Sequence, residues 1–184
     1  VPAERLLPLS GAETLTRCPS LVGTSLPGRD SWALEEFMDT VITADPEAEV
    51  RSTEYRGVFV AYSLREPIAL ATRFLSFTHA FLARVYPVML CGGPQELDSL
   101  VSALLSHVRV SEARLEVKLR EPLSRQLTES RVVSSIAAGG LRPSKRSELV
   151  VLVETLWDLV LLSYGRLASC GPKCRLLLPR ASQQ

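Results

Sequence analysis

Residues 149–162 read LVVLVETLWDLVLL, and eleven of these positions are apolar. The polar ones are Glu154, Thr155 and Asp158. Read as one helix over about 147–168, with Ser147 as its cap and Gly165 or Gly171 at its end, the stretch is apolar almost all round. Such a helix has to be wrapped by the rest of the fold, by a partner, or by both. Glu154 and Asp158 stand four residues apart, on one narrow stripe. Three readings apply to them: the solvated stripe of a buried helix, acceptors for an arginine of a partner chain, or an acid–base pair. Trp157 falls on the desolvated part of the helix, which makes it a candidate contact.

Upstream of this stretch lies the basic loop Arg142-Pro-Ser-Lys145-Arg146, a candidate for an acidic partner or simply a solvated loop. Before it, Arg131 to Ala137 is rich in β-branched residues and reads as a strand closed by Gly139-Gly140. Ala113 to Arg120 alternates strictly, with Leu115, Val117 and Leu119 on one face and charges on the other. That is a half-buried strand, and the two strands are expected to be antiparallel neighbours. Pro122 to Glu129 reads as a helical turn. Leu97, Leu100, Val101, Leu104, Leu105 and Val108 recur at spacings of three and four, an amphipathic helix opened by Pro94. Ile68 to about Val85 carries Leu70, Phe74, Phe77, Phe81 and Val85 on one stripe and reads as a second buried helix, with Pro67 in its first turn. Arg56 to Ser63 reads as a strand, and Ser31 to Thr43 as a helix stopped by Asp45-Pro46. Arg175 to Leu178 adds a short edge strand.

These elements give an α+β fold, helix-dominated, with a small mostly antiparallel sheet. The alternative is an all-α bundle with long crossover connections. The chain of 184 residues suits one domain over 30–178, with an irregular Pro- and Gly-broken arm over 1–29 and a polar tail over 179–184.

Net charge is +1. Electrostatics therefore give no reason to expect nucleic acid or a membrane surface as partner. The cations are 18 Arg against 3 Lys, Asn is absent, and Ile occurs only at Ile42, Ile68 and Ile136, the pattern of a GC-rich gene. No apolar run reaches the ~18 residues of a membrane span.

Cys18, Cys91, Cys170 and Cys174 permit two disulfides in three pairings, or four free thiols. Cys91-Gly-Gly-Pro puts a thiol before a helix start, where it is either a nucleophile or a structural cysteine. Cys170-Gly-Pro-Lys-Cys174 is one residue too long for the redox motif and lacks further ligands in sequence for zinc. Neither double glycine belongs to a phosphate loop, and no serine hydrolase signature is present.

The reading expects no catalytic residue, cofactor, metal or small-molecule ligand. It expects a non-enzymatic scaffold or adaptor subunit that docks on another protein through apolar helix faces. Its contact candidates are Trp157, Glu154, Asp158, Arg142, Lys145 and Arg146. A secreted or surface helical ligand with disulfides is the alternative, and a cysteine-nucleophile enzyme the third possibility. An intracellular place is favoured over secretion.

Overall fold

In the computed structural model, residues 149–162 form a β-hairpin. Strand Val150–Leu156 and strand Leu159–Ser169 pair antiparallel from Val150↔Gly165 to Leu156↔Leu159. The turn is Trp157-Asp158, with Trp157 at φ 57°. A bulky residue rarely adopts positive φ, so no glycine or asparagine marks this turn in the sequence. All seven residues of the first strand are buried. A strand covered on both faces reads as a continuous apolar run, the pattern a buried helix also gives. The helix-dominated α+β fold and the all-α bundle are therefore both corrected: the fold is α/β, built on large mixed sheets.

The structure describes residues 17–179, and the backbone of 7–8 and 15–16. In chain order the strands are β1 Leu7–Pro8, β2 Leu15–Thr16, β3 Leu21–Ser25, β4 Glu49–Ser52, β5 Val58–Tyr62, β6 Leu82–Pro87, β7 Leu90–Gly92, β8 Glu112–Lys118, β9 Arg142–Pro143, β10 Val150–Leu156, β11 Leu159–Ser169 and β12 Arg175–Leu178. The helices are α1 Asp30–Ala44, α2 Pro67–Thr72, α3 Leu97–His107 and α4 Glu129–Ala138. The chain divides into two units. The first holds 19–88 and 166–179; the second holds 17–18 and 89–165.

The first unit runs β3-α1-β4-β5-α2-β6 with strand order β4-β5-β3-β6, the split β-α-β arrangement. β12 extends it beside β6 in parallel, and pairs on its other side with 166–169 of β11. It is thus an interior strand and not the expected edge. Phe37 of α1 lies over Gly23 of β3, where a Cβ would come within 2.6 Å of its ring. Phe37, Phe59, Phe74, Leu82 and Leu176 share one buried cluster.

Two further expectations fail in this unit. Leu21–Ser25, within the stretch read as irregular, is a strand between β5 and β6. The helix expected to reach Val85 stops at Thr72, followed by a 3-10 turn over Arg73–Ser76. The cause is a tertiary competitor for backbone donors: the Glu36 carboxylate accepts N–H groups of Ala80, Phe81 and Leu82 at 2.6, 2.9 and 3.1 Å. A helix would have to satisfy those donors itself.

The second unit has strand order β7-β11-β10-β8-β9, with β8 parallel to both β10 and β9. Parallel neighbours need a crossover, and α4 supplies it. Residues 131–138, expected as a strand, belong to this helix. Thr128 caps it by accepting the Arg131 N–H at 3.2 Å, and Val132, Ser135 and Ile136 are its buried positions. Spacing of three and four outweighs the β-branched composition here. Helices α3 and α4 cover the face bearing Val151, Val153, Val160 and Leu162. Cys18 and Cys91 form a disulfide in this unit, and Cys170 and Cys174 form one in the first.

Candidate nucleic-acid interface

The free edge of the second unit's sheet gathers exposed cations. Arg109 is exposed just before β8. Beside β8 runs β9, which is only two residues long and sets Arg142 opposite Glu112 and Pro143 opposite Ala113. The Arg142 N–H donates to Ser111 O at 2.9 Å, and the Ser144 N–H to Ala113 O at 2.8 Å. The Ser147 hydroxyl donates to Glu112 O at 3.3 Å and accepts the Leu149 N–H at 3.2 Å. The loop that carries Arg142, Lys145 and Arg146 is thereby stitched to the strand by backbone and Ser147 bonds.

Arg142 meets the Glu112 carboxylate at 3.0 Å, in a pair exposed to solvent. Arg109, Lys145 and Arg146 are exposed and make no ion pair among the described residues. Solvated cations at a short, charged sheet edge block edge-to-edge pairing and are available to an anionic partner. Arg131 is held differently. It donates to Asp98 at 2.7 Å. That bond and the Ser135 hydroxyl keep the Asp98 carboxyl below the usual carboxylate range.

The other candidates lie elsewhere in this unit. Glu154 is buried in the middle of the sheet and accepts from Arg120 Nη1 at 3.0 Å. The arginine envisaged from a partner chain is thus supplied by the chain itself. Thr155 completes the arrangement: its hydroxyl accepts the Arg120 N–H at 2.6 Å and donates to Arg120 O at 3.1 Å. Trp157 and Asp158 form the hairpin turn, half-buried, and Trp157 bridges to Pro122. Strand β10 separates them from the basic loop, a span of about 20 Å at ~3.3 Å per residue. The structure therefore sets Arg142, Lys145 and Arg146 on or beside the edge strand β9, with Arg109 three residues before the Glu112 that Arg142 faces, and leaves Glu154, Trp157 and Asp158 apart. Sequence reading missed Arg109. Its signal was there: Arg109 and the 142–146 loop flank the two elements that follow helices α3 and α4.

Cys91 has no thiol to offer as a nucleophile, because it is bonded to Cys18. In the first unit, His79 lies beside the Cys170–Cys174 disulfide, and among the described residues these three are the one cluster of metal-ligating side-chain types, with both sulfurs bonded to each other.

No family model matches this chain, and no curated protein matches it in sequence. Solved structures do. PH1313 from Pyrococcus horikoshii superposes with a TM-score of 0.58 at 10% identity, over 84% of this chain and 56% of that one. A 4-thiouridine synthetase, solved as an RNA complex with bound ATP, superposes with a TM-score of 0.57 at 12% identity, over 88% of this chain and 42% of that one. The likeness is one of fold. This chain spans about half the length of the first protein and less than half of the second.

These findings correct the functional expectations. The scaffold or adaptor was to dock through two apolar helices. One of those is a buried hairpin, and the other ends at Thr72 and gives way to a strand. The secreted helical ligand falls with the helical fold, and the cysteine nucleophile with the Cys18–Cys91 bond. The expectations of a chain that is no enzyme and has no nucleic-acid partner lose their ground as well: the helical fold they were built on is absent, and the fold present is one also found in a 4-thiouridine synthetase solved with RNA.

Proposed function

We propose that this chain supplies RNA recognition to an RNA-modifying enzyme, and that the edge formed by Arg109, Arg142, Lys145 and Arg146 contacts the phosphate backbone. The observation that carries this reading is the fold shared over 88% of the chain with a 4-thiouridine synthetase solved with RNA, of which the shared part is less than half. A region of that proportion fits substrate binding beside a separate catalytic part. The chemistry of the edge agrees. Guanidinium groups donate in a fork that matches phosphate oxygens, and phosphate contacts position an RNA without reading its sequence. Near-neutral net charge confines such binding to a local patch, so affinity is modest and salt-dependent.

The test is fluorescence anisotropy with a labelled RNA hairpin across a salt series. The wild-type chain binds, with log K falling linearly against log salt. The variant Arg142→Glu/Lys145→Glu/Arg146→Glu loses affinity, and its slope is shallower by about 2–3, at ~0.7–0.9 per lost phosphate contact. An unchanged slope and affinity in a folded variant would remove this edge from the interface. No binding by the wild-type chain would remove the RNA reading itself.

A further inference from the structure

We propose that His79, Cys170 and Cys174 form a zinc site when the Cys170–Cys174 disulfide is reduced. One ring nitrogen of His79 and the two sulfurs lie within 4.8 Å of one another, and all three residues are buried. The spacing Cys-x-x-x-Cys falls within the range used by structural zinc sites, and two thiolates with one imidazole are a donor set that zinc favours. In tetrahedral zinc the sulfurs stand about 3.8 Å apart, for Zn–S bonds of about 2.3 Å, so the five-residue loop needs only to open by a small amount.

The histidine is held for the task. Its Nδ1 is 2.8 Å from Cys170 O, and its Nε2 is 2.9 Å from Thr40 Oγ1. Its backbone N–H also donates to Cys170 O, at 2.9 Å. A carbonyl oxygen only accepts, so Nδ1 donates to Cys170 O as the outer nitrogen of a metal-bound imidazole does, and Nε2, which accepts from the Thr40 hydroxyl here, exchanges that bond for the metal. Phe74 packs on the imidazole at 5.2 Å between ring centroids, which limits its rotation. Gly171 brings the loop against His79: a Cβ there would stand 2.0 Å from His79 O. The loop and the histidine are therefore locked together whether or not the sulfurs are bonded to each other.

The chemistry balances with a dithiol reductant. The S–S bond takes up two electrons and two protons and becomes two thiols, and the reductant leaves as its own disulfide. Zn²⁺ then displaces the two thiol protons to solvent, with His79 as third ligand and water in the fourth position. A cleft of about 480 Å³ is lined by Phe77, Ser169, Cys170 and Arg175 among others, and since Cys170 itself is only 2% exposed, a small reductant reaches the sulfur from this cleft once the loop opens. The loop is thus clasped in either redox state, by a disulfide or by a metal.

The experiment is a Co²⁺ titration of the whole chain in a Cys18→Ser/Cys91→Ser background, before and after phosphine reduction. The reduced protein should bind one Co²⁺ and show a thiolate-to-cobalt charge-transfer band that Zn²⁺ abolishes. The oxidised protein should show none. Cys174→Ser and His79→Gln should each lose or strongly weaken the band, with folding checked by circular dichroism. Absence of the band in the reduced parent, or a band unchanged by Cys174→Ser, overturns the site. The comparison of oxidised with reduced parent involves no ligand substitution, so it decides even where a variant fails to fold.

Discussion

Replacing Arg120 with Ala should be among the most damaging single substitutions in the second unit. The Arg120 side chain is 11% exposed and the Glu154 side chain 3%, with 3.0 Å between Nη1 and the carboxylate. Removing the guanidinium leaves a carboxylate in the middle of a sheet whose first hairpin strand is wholly buried. Breaking one side of such a pair costs about 3–5 kcal/mol, because the buried carboxylate loses the guanidinium charge that faces it. Most of that cost is the stranded charge and not the lost attraction. Arg120→Met/Glu154→Leu should therefore recover most of the loss, and can match the wild type. The assay is urea unfolding followed by Trp157 emission in a Trp32→Phe background, completed as a double-mutant cycle. A loss below about 1 kcal/mol for Arg120→Ala would be the cost of an exposed pair, and would refute the burial argued here. A double variant no better than Arg120→Ala would refute the stranded-charge account.

Further outcomes follow from the same packing. Gly23→Ala pushes a methyl into the Phe37 ring and should destabilise the first unit by about 1–3 kcal/mol, measured by thermal unfolding. Gly23→Ala/Phe37→Leu should recover part of this. Trp157→Pro imposes φ near −65° where 57° is observed, and should abolish the hairpin, read as loss of soluble folded protein; Trp157→Gly should keep it. Asp45 has its carboxyl held below the ordinary value, first by the Ser63 hydroxyl, then by the Glu47 N–H and Arg65, against the opposing effect of burial. Its stabilisation is present above the unfolded-state value of about 3.9 and is lost as pH falls through the folded value. Ser63→Ala should lower Tm at pH 7, and the gap to wild type should shrink as the pH drops below that range. A gap that stays constant would contradict the linkage.

How far the fold was legible depended on whether local pattern and tertiary context agreed. Helices α1 and α3 and strands β5 and β8 were readable, because their apolar residues follow one period and their ends carry Pro, Asp or Gly signals. The hairpin β10–β11 was not, because its turn uses Trp157-Asp158 and both β10 and residues 159–163 of β11 are buried on both faces. The stop after Thr72 was invisible for another reason. The carboxylate that captures the backbone of 80–82 belongs to Glu36, more than forty residues earlier, and no local pattern encodes it. Helix α4 was readable in principle, since Thr128 with Glu129 is a start signal and Val132, Ser135 and Ile136 keep helical spacing. Of the site, Arg142, Lys145 and Arg146 were legible as a charged loop, while Arg109, three residues before Glu112, is set at the same edge only by the parallel pairing of β8 with β9.

The most direct test of RNA recognition is ultraviolet crosslinking of the chain to an RNA hairpin, followed by mass spectrometry of the crosslinked peptides. The account predicts crosslinks concentrated in the peptides that contain Arg109 and residues 139–149. Crosslinks confined to the first unit, or none at low salt, would contradict it.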